Sequence, residues 1–307
     1  MKRAISILII LQLAISLRAQ ISDEPLVRFG VVADVQYDRD TTVGVNGRHY
    51  SIDKERLAEA IETFNSRDDL SFTVSLGDIV DRDFVTAFPD LKPVLALSKI
   101  PVHYVYGNHD YVRPFSAKKQ KEFYEMVGRD DSYYSFISGG VKFIIMNDNE
   151  IALFSSEVGS VAREQAKAFI EDAKAKGLKH AKSYNGAVSK KQLKWLDKEL
   201  KDASKKKQLA IILAHQPLTP EGNKHLVLNY QDVLKVIAKY PGTAVAYLAG
   251  HDHKGGKDVV GDTAFITFKG MCEGENNRYG IVSIYPDRLE LQGFGDQKSM
   301  KFNFNIQ

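Results

Sequence analysis

Seven side chains able to hold a divalent cation fall in five short segments: Asp34 with Gln36, Asp78, Asn108, His215, and His251 with His253. Each segment follows a run of β-branched or aromatic residues, which predicts loops leaving the ends of parallel strands. Mixed oxygen and nitrogen donors suit hard-to-borderline ions such as manganese, magnesium, iron or zinc, and argue against thiolate metals. Two such ions about 3.5–4 Å apart can clamp the attacking and leaving oxygens of a displacement at phosphorus. The chemistry expected is hydrolysis of a phosphate ester or anhydride.

The local spacing fits that chemistry. Asp34 and Gln36 stand at i and i+2 beyond a strand, so both side chains turn to the same side. Gly77 permits a tight turn before Asp78, whose carboxylate has two oxygens and can bridge two cations. Gly107-Asn108-His109-Asp110 sets an amide oxygen beside an imidazole. Taken singly, a glycine-aspartate pair is usually a turn, and lone histidines such as His49, His103, His180 or His225 are usually surface or core residues. Five such segments, all placed after strands, are not explained that way.

The elements that must position these residues are legible as short apolar runs: Val27–Ala33, Phe72–Leu76, Val102–Tyr106, Lys142–Met146, Leu209–Leu213 and Ala244–Leu248. Such runs read as strands buried on both faces. Between them, Ser51 is expected to cap a helix carrying Leu57, Ile61 and Phe64, and Ser189 with Gln192 forms a capping box before Leu193, Leu196 and Leu200. Strands follow at Thr263–Phe268, Tyr279–Tyr285 and Arg288–Gln292, the last two joined by a Pro286-Asp287 turn. The fold class expected is α/β, a four-layer α/β/β/α sandwich of two mixed sheets, with the later strands forming the second sheet against the first. The long segment 150–188, with a helix around Val161–Lys176, either shapes a substrate pocket or is a plain surface helix.

Lys2 and Arg3 precede a 14-residue, mostly apolar stretch from Ala4 to Leu17, which reads as a signal peptide over residues 1–19 ahead of one catalytic domain over 20–307. The run is short for a membrane span, which needs about 20 apolar residues. A secreted or periplasmic protein without stable membrane association is therefore expected. The chain has 42 basic and 39 acidic residues; loss of Lys2, Arg3 and Arg18 leaves 39 of each. A neutral mature chain argues against nucleic acid as a partner. Cys272 is the single cysteine, so no intramolecular disulfide is possible.

The five segments together resemble the calcineurin-like metallophosphoesterase superfamily, whose blocks read D-x-H, G-D-x-x-D, G-N-H-D/E, a lone H, and G-H-x-H. Here they stand as Asp34-Val35-Gln36, Gly77-Asp78-Ile79-Val80-Asp81, Gly107-Asn108-His109-Asp110, His215, and Gly250-His251-Asp252-His253. Glutamine at 36, where most of the superfamily has histidine, makes the chain similar to manganese-dependent ADP-ribose/CDP-alcohol diphosphatases. The same likeness lies in Ser183-Tyr184-Asn185-Gly186, Asn229-Tyr230 and Leu291-Gln292-Gly293. The resemblance implies one ion held by Asp34, Gln36, Asp78 and His253, and a second held by Asp78, Asn108, His215 and His251. An amide in place of an imidazole hardens the first site toward manganese or magnesium. His109 would protonate the leaving oxygen or stabilise its charge, and Asp81 would fix its ring. Arg48 or Arg82 would pair with the phosphate that is not attacked. Tyr37, Tyr111, Tyr184 and the Met271-Cys272 pair are candidates for the face that holds a nucleotide base. A monomer acting on a small-molecule nucleotide is expected. The rival readings are a broad phosphomonoesterase or phosphodiesterase, and a non-catalytic metal or nucleotide binder.

Overall fold

Strand β1 (Val27–Val32) alternates its faces: Phe29 and Val31 point one way, Gly30 and Val32 the other. In the computed structural model, which describes residues 24–39 and 47–304, β1 lies at the centre of a six-stranded sheet. The expected signal peptide at 1–19 is outside the described residues. On one side of β1 run β2 (Phe72–Ser75) and β3 (Val102–Tyr104), both parallel. On the other side, antiparallel, come β10 (Arg278–Ile284), β11 (Arg288–Gly295) and β12 (Met300–Asn303).

The second sheet has the order β4-β5-β6-β7-β9-β8, built from β4 (Tyr134–Ser138), β5 (Val141–Ile145), β6 (Ala210–Leu213), β7 (Ala244–Ala249), β8 (Lys254–Val260) and β9 (Thr263–Lys269). β5, β6, β7 and β9 are parallel, and the outer strands β4 and β8 are antiparallel to their neighbours. The two sheets pack face to face. Phe29 stacks on Phe72 at 4.9 Å between ring centroids, and both meet the edge of Phe143 from the other sheet.

Helices α1 (Asp53–Asn65), α2 (Phe84–Leu95) and α3 (Ala117–Met126) cover the outer face of the first sheet through Leu57, Ile61, Phe64, Phe84, Phe88 and Phe123. Gly30 lets α1 approach, since a Cβ there would lie 2.8 Å from the Phe64 ring. Helices α5 (Lys190–Lys205) and α6 (Tyr230–Ile237) cover the second sheet through Leu196, Leu200, Val233 and Ile237. The result is the expected four layers, two mixed sheets between helices.

Three details depart from expectation. The closing strands at 278–284 and 288–295 join the first sheet rather than forming the second, with β10 pairing the edge of β1 that β2 leaves open. Ser51 does not cap α1; Ile52 occupies the N-cap without a side-chain hydrogen bond. Ser189 Oγ does accept from Gln192 N at 3.1 Å, but the Gln192 side chain goes instead to the main chain of Asn147 and to Glu150. The long segment carries a surface helix, as one of its two readings has it. This helix, α4 (Val161–Ala175), packs Ala166 and Ile170 against Ile151, Ala187 and Leu228, and the residues before it border a cavity.

Candidate metal centre

The parallel strands of both sheets end at one edge of the sandwich, and the seven candidate ligands leave from those ends. Asp34 and Gln36 follow β1, Asp78 follows β2, Asn108 follows β3, His215 follows β6, and His251 with His253 follows β7. The loops are stitched within each sheet, by Gly250 N to His215 O at 2.9 Å and Gln36 N to Asp78 O at 2.8 Å, and between the sheets by His251 N, which donates to the Asp34 carboxylate at 3.0 Å. Asp34, Gln36, Asp78 and His251 all have φ between 49° and 67°, left-handed backbone that non-glycine residues seldom adopt. Strain of this kind persists where the surroundings over-determine it, and it clusters at functional sites.

All seven side chains are buried, and they converge. His215 Nε2 lies 3.3 Å from Asp78 Oδ2 and 3.1 Å from Asn108 Oδ1. His253 Nε2 lies 3.4 Å from Asp34 Oδ1, and Gln36 Nε2 reaches Asp78 Oδ2 at 3.1 Å. Donor atoms of Asp78, His215 and His251 lie within 4.8 Å of one another. Asp78 therefore stands between two groups of donors, one toward Asp34 and His253 and one toward Asn108, His215 and His251.

Each imidazole is oriented from behind by an oxygen. His215 Nδ1 is 2.8 Å from Leu76 O, His253 Nδ1 is 2.7 Å from Glu273 Oε1, and His251 Nε2 is 2.9 Å from Asn185 Oδ1. An N–H directed to such an acceptor leaves the other ring nitrogen with its lone pair toward the centre, the tautomer a metal ligand needs. The donor set thus fits divalent metal binding. One group carries a detail of its own: Gln36 turns Nε2 to Asp78 and Oε1 to Cys272 Sγ at 3.5 Å, and serving a cation requires the reversed amide.

The electrostatics point the same way. Burial alone would lower the His215 pKa, but Asp78 beside it overcomes this and lifts it to about 10. Burial likewise opposes the charge on His253, and Cys272 and Asp34 raise it well above the usual value. His251 is held well below that value by burial and by repulsion from His215. Asp78 loses solvation by burial, yet His215 and His109 keep it well below the usual carboxylate range. The cluster demands positive charge, supplied by protons or by cations that displace them.

His109 lies beside this centre. Its main-chain N–H donates to Asp78 Oδ1 at 2.7 Å, and its Nδ1 sits 3.0 Å from the Asp81 carbonyl and 2.9 Å from Asp81 Oδ1. Nε2 is thus the ring nitrogen left for a ligand in the cavity of about 540 Å³ that His109 lines with Gln36, Arg48, Asp78, Asn108 and Tyr184.

Several candidates for the substrate face are not on it. Tyr37 is buried in the core and donates to Asp90 at 3.1 Å. Tyr111 is buried and donates to Asn147 at 3.2 Å. Met271 and Cys272 are fully buried, Met271 in the core beside the first sheet and Cys272 behind Gln36 and His253, so neither faces the cavity. Arg82 turns outward to Asp38 and Asp81. Arg48 and Tyr184 do line the cavity.

Other residues matter here that sequence reasoning passed over. Asp110 accepts from the main-chain N–H groups of Gly107, Asp78, Ile79 and Val80, tying two ligand loops together. Asp148 Oδ2 accepts from His215 N and Gln216 N and holds the His215 loop. Asp110 lay inside a block already noted, and Asp148 in the polar run Asn147-Asp148-Asn149 after β5, so both left a signal. Asn185 and Glu273 are recognisable only once the chain has folded.

The model of the calcineurin-like phosphoesterase family matches residues 27–255. A curated relative from Arabidopsis thaliana, named manganese-dependent ADP-ribose/CDP-alcohol diphosphatase, is 30% identical over 91% of this chain and 97% of its own. A relative of the same name from Homo sapiens is 28% identical over 89% of this chain and 92% of its own. The solved structure of a dimetal phosphatase from Danio rerio shares the fold, with a TM-score of 0.82 at 23% identity over 92% of this chain and 100% of that one. Matched family, fold and convergent donors together make the chain a metal-dependent phosphoester hydrolase, and it belongs to the calcineurin-like phosphoesterase family.

Proposed function

We propose that this hydrolase cleaves the phosphoanhydride of nucleoside diphosphate-X compounds, of the kind represented by ADP-ribose and CDP-alcohols, to a nucleoside monophosphate and a phosphorylated second half. The observation that carries this is the donor set around Asp78 with glutamine at 36, read with the names of relatives that align over nearly the whole chain. Asp34, Gln36, Asp78 and His253 would hold one divalent ion, and Asp78, Asn108, His215 and His251 the other, with manganese favoured by the oxygen-rich first group. When bound, the two cations would acidify water and polarise the phosphoryl group.

The chain's own groups would do the rest. His109, with Nδ1 held at Asp81, would pass a proton from Nε2 to the leaving oxygen. Arg48 is suited to the neighbouring phosphate: its Nε is buried with no hydrogen-bond partner among the described residues, and its carboxylate contacts to Glu273 and Asp81 are loose at 3.7 and 4.0 Å. Tyr184 would bound the organic part of the substrate. The protein would act as a monomer on a small nucleotide, exported after removal of residues 1–19, with 20–307 as a single catalytic domain.

The test is turnover of ADP-ribose, CDP-choline and CDP-glycerol by purified protein with manganese. These rates are compared with p-nitrophenyl phosphate and bis-p-nitrophenyl phosphate. Preference for the anhydrides supports the proposal. Preference for the nitrophenyl esters with no anhydride cleavage would refute it in favour of a phosphomonoesterase or phosphodiesterase, and no turnover of any would point to a binding protein.

A further inference from the structure

Tyr184 separates the metal cavity from a second one, of about 330 Å³, and lines both. The second cavity lies between the loop carrying Arg113 and Phe115 and the segment from Leu153 to Arg163. We infer that it is the compartment for the aromatic base of a nucleotide whose phosphates lie at the metal centre, an inference that rests on the reading of the centre as a nucleotide site.

Three observations support it. The walls are largely apolar, with three aromatic rings, Phe115, Phe154 and Tyr184, beside Leu153 and Val158, and the Arg113 guanidinium stands 5.7 Å from the Phe154 ring centroid. Rings and a guanidinium plane are what a heteroaromatic base stacks on, whatever its identity. Val158, which lines the cavity, is 88% exposed, a bare apolar lip that a seated base would cover.

The compartment is also built rather than incidental. Arg163 Nη1 holds the main-chain carbonyls of Leu153 and Ser156, and Ser156 Oγ donates to Ala152 O, so the segment before α4 is pinned as a wall. Its walls connect to the chemistry on both sides. Arg113 donates to the carbonyl of Asn108 at 3.2 Å, and Tyr184 precedes Asn185, which orients His251. Polar groups at the edge complete the match: the Glu157 carboxylate can accept from an exocyclic amine, which adenine and cytosine share.

The test is calorimetric binding of CMP, AMP, ribose 5-phosphate and glycerol 3-phosphate to the manganese-loaded protein, comparing wild type with Val158→Asp and Phe154→Ala. Phe154→Ala should lower affinity for CMP and AMP about tenfold, the scale of one lost stacking surface, and Val158→Asp should lower it too by setting a carboxylate against the apolar lip, with the two baseless phosphates unaffected by either. Phe154 is nearly buried and its loss can disturb packing, whereas Val158 is exposed, so Val158→Asp reads the compartment without that complication. Unchanged CMP and AMP binding in Val158→Asp would overturn the inference. So would an equal loss for the baseless phosphates, which would assign the compartment to the other half of the substrate. Failure of the wild type to split CDP-alcohols or ADP-ribose while these binding differences persist would remove the proposed reaction and leave the compartment standing.

Discussion

The amide oxygen of Asn185 lies 2.9 Å from Nε2 of His251, and both hydrogens of the same amide are spent on the carbonyls of His180 and Lys224. The amide cannot reverse without losing those bonds, so its oxygen stays on the imidazole and Nδ1 of His251 is left for the centre. Asn185→Ala should therefore weaken metal binding by about 10–100-fold, the usual cost of losing such a support. Manganese titration of activity should show a higher half-saturating concentration with recovery at excess metal. An unshifted titration curve would mean that Asn185 does not orient His251.

His109→Ala should lower kcat by about 10²–10⁴-fold, the range for a lost general acid, without changing metal content. In the chain without cations burial depresses the His109 pKa, and Asp78 and the bond to Asp81 outweigh this and raise it. Cations on Asp78 would cancel the first of these, leaving the Asp81 contact to favour the protonated ring that serves as the acid, so kcat should fall on the alkaline side of its pH profile. Asp81→Asn should move that alkaline limb to lower pH. A pH profile of kcat measures it, and the same limb in His109→Ala would assign it to another group.

Asp53 opens α1 fully buried, paired with Arg56 at 3.7 Å but with neither carboxylate oxygen hydrogen-bonded among the described residues. Burial lifts its pKa to about 8. The folded state then holds a proton that the unfolded state has released above its ordinary value near 3.8, so this group's contribution to stability declines as pH rises from about 4 to 8. Asp53→Asn removes the titration. Its melting temperature should exceed the wild type's by a few degrees above pH 8, with the gap closing toward pH 5. Thermal melts across that range check it.

Gly77 has φ of +94°, and a Cβ there would lie 2.5 Å from His215 Nδ1. Gly77→Ala should displace His215 from Leu76 O and strain the turn before Asp78, costing on the order of 1–3 kcal/mol in stability. Manganese affinity should drop with it. Chemical denaturation with and without manganese separates the two effects, and a variant with native stability and native metal response would contradict the role given to this glycine.

The candidate ligands were legible because each sits at the end of an apolar strand, where period and position both show in one sequence. The layers were legible for the same reason, since strands such as Ile211–Leu213 are apolar on both faces. Strand partners were not: nothing local in 278–295 says that these residues return to β1 across more than 240 positions. Helix α2 hides behind Pro89 and Pro93, ordinarily breakers, which it tolerates because Phe84, Phe88 and Leu91 are fully buried beneath it. Tyr37 and Tyr111 misled because closeness along the chain to a ligand does not fix the direction of a side chain. Asn185 and Glu273 were invisible as supports because their histidines lie 66 and 20 residues away.

The most direct test of a dinuclear centre on Asp78 is the anomalous difference map of a manganese-soaked crystal, paired with metal analysis of the same protein. Two manganese ions per chain should be found, about 3.5–4 Å apart and both on the Asp78 carboxylate, one against Asp34 and His253 and the other against Asn108, His215 and His251. A single ion held by His253, Cys272 and Glu273, the other cluster of possible donors, with none on Asp78, would contradict the account.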